Sequence, residues 1–340
     1  MKKILYAIIS VIIVLILLLL VTIGVGVYWN TPTRISDEDF VYIIYGGESF
    51  SSVAQDLEDR NLIKNQYLFR ILGKVLNSEN KLRSGAFKLS PKLSTWDNYQ
   101  ILINGPQEMV QITIPEGWTI NKIGKLLERK GITDYIDFKT AVSDPVLLSE
   151  LGIIDKTAEG YLFPDTYKFV PGQDAESVVK FLVNEFYSKI SSIYPDWKNL
   201  SQDELNKRLI LASVIEREFR TPSEAPKIAS VFYNRLENGI ALESCATIEY
   251  VLTEIEGKPH PERIFYRDLE IDNPYNTYKY KGLPPGPISN PGLVSLKAAF
   301  YPEETNYLFF VIEDPSEGRH RFSETYDQHL RAKSLYLKKL

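Results

Sequence analysis

The residues with the most chemical promise in this 340-residue sequence stand where an uncharged stretch meets two carboxylates. Leu209-Ile210-Leu211-Ala212-Ser213-Val214-Ile215 carries no charge on any face; Glu216 follows directly, and Glu218 two positions on. A helix uncharged all round is a buried one. A carboxyl group at its end meets desolvation and also the negative end of the helix dipole near Phe219, and both disfavour the charged form. Glu216 is therefore expected above the ordinary ~4.3 of a glutamate. A carboxyl still protonated near neutral pH is what general-acid donation to a leaving glycosidic oxygen requires. The opposing reading pairs Glu216 with Arg217, Arg220 or Arg235, all close in sequence, and these residues alone leave both open. Glu218 lies about 200° round the helix, on the stripe of Leu211 and Ile215, so the two carboxylates do not face one cleft.

The elements that must position this pair can be read outward from it. Ser201-Gln202-Asp203-Glu204 is a capping box, and the run from Leu205 to Phe219 has neither Gly nor Pro, so a helix starts here. Glu216 shares a stripe with Leu209, Ala212 and Ser213; two of these are small, which predicts a cavity above them. Thr221-Pro222 breaks the helix, and a second runs from near Glu224 to Leu236, with Pro226 in its first turn and Gly239 ending it. On that helix Asn234 and Arg235 adjoin a core face and either bind sugar hydroxyls or stabilise the fold.

Further on stand Asn273-Pro274-Tyr275-Asn276-Thr277-Tyr278 and the segment Gly282 to Gly292, which holds Pro284, Pro285, Pro287 and Pro291 beside Asn290. Prolines fix φ and remove donors, so this is a stiff loop outside any sheet. Tyrosines beside amides and hydroxyls suit carbohydrate; a rigid connector between core elements is the equal alternative. Tyr307 to Ile312 reads as a buried strand. His320 follows a polar turn at Pro315 to Gly318, and a last helix spans about Ser323 to Lys338.

Composition excludes several classes. A net charge of −5 gives no field for a polyanion, so no nucleic-acid partner is expected. Cys245 is the only cysteine, which excludes an internal disulfide and a thiolate metal cluster. His260, His320 and His329 lack the spacing that puts two ligands on one helix face. No metal or other cofactor is expected. From Ile4 to Trp29 there is no charged residue, and Val11 to Leu20 is wholly aliphatic. About 26 such residues at ~1.5 Å rise cross a ~30 Å hydrocarbon core. Lys2 and Lys3 precede the run and no basic residue follows until Arg34, so the N-terminus is placed in the cytoplasm and the body outside. Tyr28 and Trp29 suit the interface. A cleaved signal peptide is the weaker reading, because the run exceeds an ordinary h-region and lacks a small-residue cleavage site.

Between this segment and the catalytic candidates the chain repeats itself. Ile44 aligns with Ile114, Gly47 with Gly117, Ser49 with Thr119, Val53 with Ile123, Leu57 with Leu127 and Glu58 with Glu128. Each copy reads as a strand, a Gly turn, a capping Ser or Thr and an amphipathic helix. Phe87-Lys88-Leu89 and Tyr167-Lys168-Phe169 supply matching closing strands, giving a βααβ unit. Such units resemble LysM-like modules, which bind N-acetylglucosamine polymers; Trp96 and Trp118 suit stacking on sugars, and simple spacing from the bilayer is the alternative.

Glu159-Gly160-Tyr161-Leu162-Phe163-Pro164-Asp165-Thr166-Tyr167, Ala212 to Glu218, Val231 to Leu236, Tyr275 to Tyr278 and Gly282 to Gly292 stand in the order found in the YceG-like family of endolytic murein transglycosylases, which the chain resembles over nearly its whole length. The resemblance implies non-hydrolytic cleavage between N-acetylmuramic acid and N-acetylglucosamine within nascent peptidoglycan strands, leaving 1,6-anhydro ends, by a lyase that ends glycan elongation beside peptidoglycan synthases. It places the catalyst at the first Glu of Glu-x-Glu, Glu216, and one carboxyl then serves as acid and afterwards as base, unlike the two-carboxylate scheme of ordinary glycosidases. The chain departs from the family at Leu242-Glu243-Ser244-Cys245, where many members have an Asp at the position of Cys245, so no role is carried to Cys245. Ser244 and Thr247 remain as cleft residues.

The expected architecture is α+β: a transmembrane anchor (1–30), a LysM-like unit (31–106), a second related unit (107–175) and an α+β catalytic domain (176–340). The expected substrate contacts are Glu218, Asn234, Arg235, Ser244, Thr247, Tyr275, Asn276, Thr277, Tyr278, Pro285, Asn290 and His320. A non-catalytic glycan-binding scaffold tethered to the membrane is the rival reading. A hydrolase pairing Glu216 with Glu218, Glu224 or Glu243 comes third.

Overall fold

The computed structural model describes residues 2–34, 39–314 and 316–336. The described chain is mixed helix and sheet. It divides into two compact units, 1–110 with 168–174 and 111–167 with 175–340.

In the first unit α1 (Lys2–Trp29) is followed by β1 (Phe40–Ile44), α2 (Phe50–Asp59), α3 (Gln66–Val75), β2 (Gly85–Leu89) and α4 (Thr95–Asn104). Among the described residues α1 is the one helix long and apolar enough to cross a membrane, and its large apolar side chains are exposed. Its last turn is tied to this unit: Thr95 Oγ1 donates to Trp29 O at 2.9 Å, the Trp96 amide to Asn30 Oδ1 at 2.9 Å, and the Lys64 ammonium lies 4.4 Å from the Tyr28 ring centre. Trp96 itself stacks on Tyr99, with ring centres 5.7 Å apart.

β1 and β2 pair antiparallel with Tyr42 opposite Phe87, and both rings turn into a core with Phe50, Leu57, Phe69, Tyr99 and Leu102. The turn before α2 needs a left-handed residue, which Gly47 supplies at φ +87°. Ser49 then caps α2 by accepting the Ser52 amide. This is the strand, helix, helix, strand order read from the repeat.

The second copy keeps that order with one helix added: β3 (Val110–Thr113), α5 (Ile120–Arg129), α6 (Tyr135–Ala141), α7 (Pro145–Glu150) and β4 (Thr166–Phe169), with β3 and β4 paired. Gly117, the partner of Gly47, again has positive φ, +71°. The cap differs. Thr119 makes no side-chain cap bond, and its buried Oγ1 has no partner among the described residues. The buried carboxyl of Glu159 accepts the Ile120 amide instead, at 3.1 Å.

The rest of the second unit is α8 (Ala175–Ile193), α9 (Gln202–Glu218), α10 (Ala225–Glu237), α11 (Cys245–Tyr250), α12 (Leu293–Phe300), β5 (Phe309–Asp314), β6 (Arg319–Ser323) and α13 (Tyr326–Tyr336). The Ser201 and Glu204 capping box starts α9 as the sequence predicts. Leu209 to Ile215 is buried on every side, with α10 and α12 packed against it. The strand expected from Tyr307 is β5, half-buried along its length and, among the described residues, paired with β6 in a two-stranded sheet. The last helix begins at Tyr326; its expected end at Lys338, like Pro315 in the preceding turn, lies outside the described residues.

Candidate active site

The stripe of small residues on α9 is covered at Ser213 by the stiff loop. Ser213 Oγ accepts the Ile288 amide at 3.0 Å, and the Ser213 carbonyl accepts Ser289 Oγ at 3.0 Å. Pro287 seats against Gly160, where a Cβ would meet the proline ring at 2.7 Å. The room beside Ser213 is thus taken by the stiff loop, a segment too far along the chain for periodicity to anticipate. This seating brings Asn290 and Gly292 to the end of α9.

Gly292 and Ser295, at the start of α12, both serve Glu216. The Gly292 amide donates to Oε2 at 2.9 Å and Ser295 Oγ donates to the same oxygen, while among the described residues no hydrogen bond ends on Oε1. Burial pushes the carboxyl up to about 7, helped by the charge of Glu116. The Ser295 and Gly292 bonds and the nearby Arg217 charge oppose that rise. The feared arginine pairing is absent among the described residues. Arg217 binds Glu249 at 2.5 Å and Arg235 binds Glu243 at 2.9 Å. A half-buried carboxyl poised near neutrality, with one oxygen held and one left for a proton, is suited to giving a proton and taking one back.

The turn that carries Glu116 is pinned beside it. The Gly117 amide donates to Asn290 O at 2.9 Å, and the Asn290 amide and side-chain Nδ2 both donate to Trp118 O at 2.9 Å. Asn290 Nδ2 also donates to Glu159 Oε1 at 2.8 Å, and its Oδ1 accepts the Leu162 amide at 2.9 Å. Asn290 is fully buried and its side-chain bonds all end on the protein. Glu159, also buried, is pushed up to about 8 by desolvation.

Glu218 points elsewhere, as the helix angle predicts. It accepts Ser244 Oγ, burial raises its carboxyl above the usual range, and it lines a separate cavity of about 330 Å³ with Ser244, Cys245, Tyr278 and Arg235. Thr277 knits this wall: its Oγ1 accepts the Ser244 amide at 3.1 Å and lies 2.9 Å from Thr247 Oγ1. Cys245 Sγ is 3.0 Å from Tyr278 Oη. Asn276, buried, donates to the Leu269 and Ile271 carbonyls at 2.8 Å and shapes the turn that presents Tyr278. Tyr275 packs on Tyr250, with ring centres 5.1 Å apart, and Pro285 is exposed on the stiff loop.

Three candidates serve the packing around α10 and β6, and of these only Arg235 also reaches the Glu218 cavity. Asn234 Nδ2 donates to the Thr305 and Tyr307 carbonyls at 2.8 and 2.9 Å. Arg235, buried, donates to Leu308, Ala241 and Leu242 carbonyls, tying α10 to β5 and to the chain after Gly239. His320 on β6 places Nδ1 2.8 Å from Glu224 Oε2. Gly292, Ser295 and Glu116 were not singled out from the sequence. Gly292 and Ser295 are signalled only by the Pro-Gly that precedes an apolar helix, a common helix start. Among the described residues no group of three His, Cys, Asp or Glu side chains is arranged to hold a metal.

The architecture and these motifs define a class. The model of the YceG-like family matches residues 42–334, and the chain belongs to this family. It is 33% identical over 310 residues to the endolytic murein transglycosylase of Bacillus subtilis, covering 86% of this chain and 84% of that one. It is 30% identical over 313 residues to the endolytic murein transglycosylase of Streptococcus pneumoniae, 84% of this chain but 56% of that longer one. The crystal structure of a yceG-like protein from Listeria monocytogenes matches with a TM-score of 0.58 at 32% identity, covering 87% of this chain and 99% of that chain.

Proposed function

We propose that this chain is a lytic transglycosylase that cuts peptidoglycan glycan strands internally, with Glu216 as its single acid and base. The observation that carries the reading is the Glu216 carboxyl, lifted to about 7 at the end of a buried helix, with Oε2 held by Gly292 and Ser295. Protonated Glu216 gives its proton to the glycosidic oxygen as the bond to C1 of N-acetylmuramic acid breaks. The resulting carboxylate is met by the Gly292 amide and the positive end of the α12 dipole. It then takes the proton of the C6 hydroxyl as that oxygen closes on C1, so the carboxyl ends as it began and the sugar ends as a 1,6-anhydro ring. The names of the Bacillus and Streptococcus relatives support the substrate class.

In this reading α1 crosses the cytoplasmic membrane once with the body outside, and the βααβ units, LysM-like in order, meet glycan or space the site from the bilayer. Cleavage of strands as peptidoglycan synthases extend them makes the protein a terminator of elongation. The test is digestion of purified peptidoglycan by the full chain in detergent micelles, with mass analysis of the products. Anhydro ends from the native protein and their loss in Glu216→Gln are expected. Anhydro ends that persist in the variant remove Glu216 as the catalyst, reducing ends indicate a hydrolase, and binding without cleavage indicates a scaffold.

A further inference from the structure

Gly292 has ordinary backbone angles, φ −81° and ψ −178°, so its lack of a side chain is not a conformational requirement. What it provides is room. A Cβ there would overlap the carboxyl of Glu116, which therefore lies directly over Gly292, the same residue whose amide holds Glu216 Oε2. One position along, Gly117 approaches the stem of Glu216: a Cβ at Gly117 would stand 3.4 Å from Glu216 Cγ and 3.4 Å from Arg217 Cδ. The turn from Glu116 to Trp118 cannot drift from this place, because Gly117 and Trp118 are bonded to Asn290 through three hydrogen bonds of 2.9 Å.

We propose that Glu116 is a positioning residue of the transglycosylase site, a second carboxylate held over Gly292 whose negative charge keeps the proton on Glu216. This rests on Glu216 being the acid. Two like charges so close disfavour each other, and Glu216, the more buried, is the one that stays neutral. The groups facing the Glu216 carboxyl are few. Glu116 comes from the turn and Arg217 from α9 itself, and Arg217 is already bound by Glu249 of α11, which also lies 2.8 Å from His260 Nε2. The start of α12 supplies only the Gly292 amide and the Ser295 hydroxyl, and the one charged residue of that helix, Lys297, is exposed. Arg217, bound by Glu249, opposes the proton, and Glu116 is the neighbouring charge that favours it. Glu116 is itself exposed, so its influence is screened by salt.

The experiment follows the Glu216 carboxyl by carbon-13 NMR in the full chain in detergent, with the resonance assigned from Glu216→Gln. In Glu116→Gln the titration of Glu216 is expected to fall by about one pH unit at low ionic strength, and by less in high salt. The pH above which anhydro products cease to form should fall with it, while the rate on the acid side is kept. Glu116→Asp is expected to restore part of the shift. Gly292→Ala, which keeps the charge and the amide but pushes the Glu116 carboxyl aside, should lower the titration in the same direction and add nothing to Glu116→Gln. A Glu216 titration unmoved by Glu116→Gln overturns the proposal. Because that titration is read whether or not the chain turns over, it is independent of the loss of Glu216 as catalyst, which would appear as cleavage by Glu216→Gln.

Discussion

Ser295 Oγ donates to Glu216 Oε2, the oxygen that also accepts the Gly292 amide at 2.9 Å. Two donors from the start of one short helix thus converge on one atom of a carboxyl that burial alone would drive further from ionisation. Such donors favour the charged form. In the proposed mechanism they set how readily Glu216 reverts from acid to base within one turnover.

Ser295→Ala removes one of these donors, so Glu216 should hold its proton to higher pH. In the proposed mechanism protonated Glu216 is the acting form in the first step, so activity in the native protein is expected to fall as pH rises through about 7. In Ser295→Ala that fall moves up by about one pH unit, the reverse of the shift expected from Glu116→Gln. Release of anhydro products across pH 5 to 9 reads it, and a limb that stays in place or moves down contradicts the assignment of Ser295.

Glu159 offers a test on stability. Its carboxyl is 2% exposed and is pushed up to about 8, from 4.5 in the unfolded chain. Between those values the folded state binds the proton more tightly, so the stability this group contributes is full below about 4.5 and is lost as pH rises through about 8. Glu159→Gln, a neutral mimic of the protonated acid, should flatten this dependence. The variant is expected to exceed the native protein in stability at pH 8 by a few kcal/mol at most, and to match or fall below it at pH 5. Urea unfolding at the two pH values measures it; parallel losses at both mean that Glu159 is ionised in the fold.

Much of this arrangement could be read along the chain, and the part that could not depends on contacts between distant segments. The capping box at Ser201, the charge-free run to Ile215 and the opposite aims of Glu216 and Glu218 all follow from local spacing, and the structure keeps them. The Gly47 and Gly117 turns follow from the repeat. The room predicted over Ala212 and Ser213 is instead taken, at Ser213, by Ile288 and Ser289, and the cap expected of Thr119 is made by Glu159. Periodicity says which face of a helix is small but not what fills it. Glu116, Gly292 and Ser295 come together only when the β3 to α5 turn, the stiff loop and α9 meet, and none of the three is unusual in its own stretch of sequence.

Asn290 is where those segments are joined, so its loss should be severe. Its side chain serves the Trp118 carbonyl, Glu159 and the Leu162 amide, all in a buried setting. Asn290→Ala leaves the buried Leu162 amide without its acceptor and takes one donor each from Trp118 O and Glu159, which keep the residue-290 amide and the Ile120 amide, at a cost of about 2–4 kcal/mol in unfolding free energy. It should also loosen the 116–118 turn, which keeps its two backbone bonds to residue 290 but loses the side-chain one, and reduce anhydro product formation beyond what the stability loss explains. Denaturant unfolding and turnover at a temperature where the variant is fully folded separate the two effects, and full activity under those conditions would rule out the clamp.

Cys245 reports on the cavity lined by Glu218. The residue is exposed, yet its Sγ lies beside Tyr278 Oη at 3.0 Å in the cavity lined by Glu218. Desolvation there pushes the thiol up, the Glu218 charge adds to the rise, and the Tyr278 bond opposes it. The thiolate is the reactive form, so iodoacetamide should label Cys245 more slowly at pH 7.5 than it labels free cysteine. Glu218→Gln removes the like charge and should speed labelling, whereas Tyr278→Phe removes the opposing bond and should slow it. Peptidoglycan fragments that slow labelling of the native protein would place the Glu218 cavity on the path of the glycan strand. Labelling as fast as free cysteine, indifferent to Glu218 and Tyr278, would mean that Sγ faces water and that Cys245 takes no part in the Glu218 cavity.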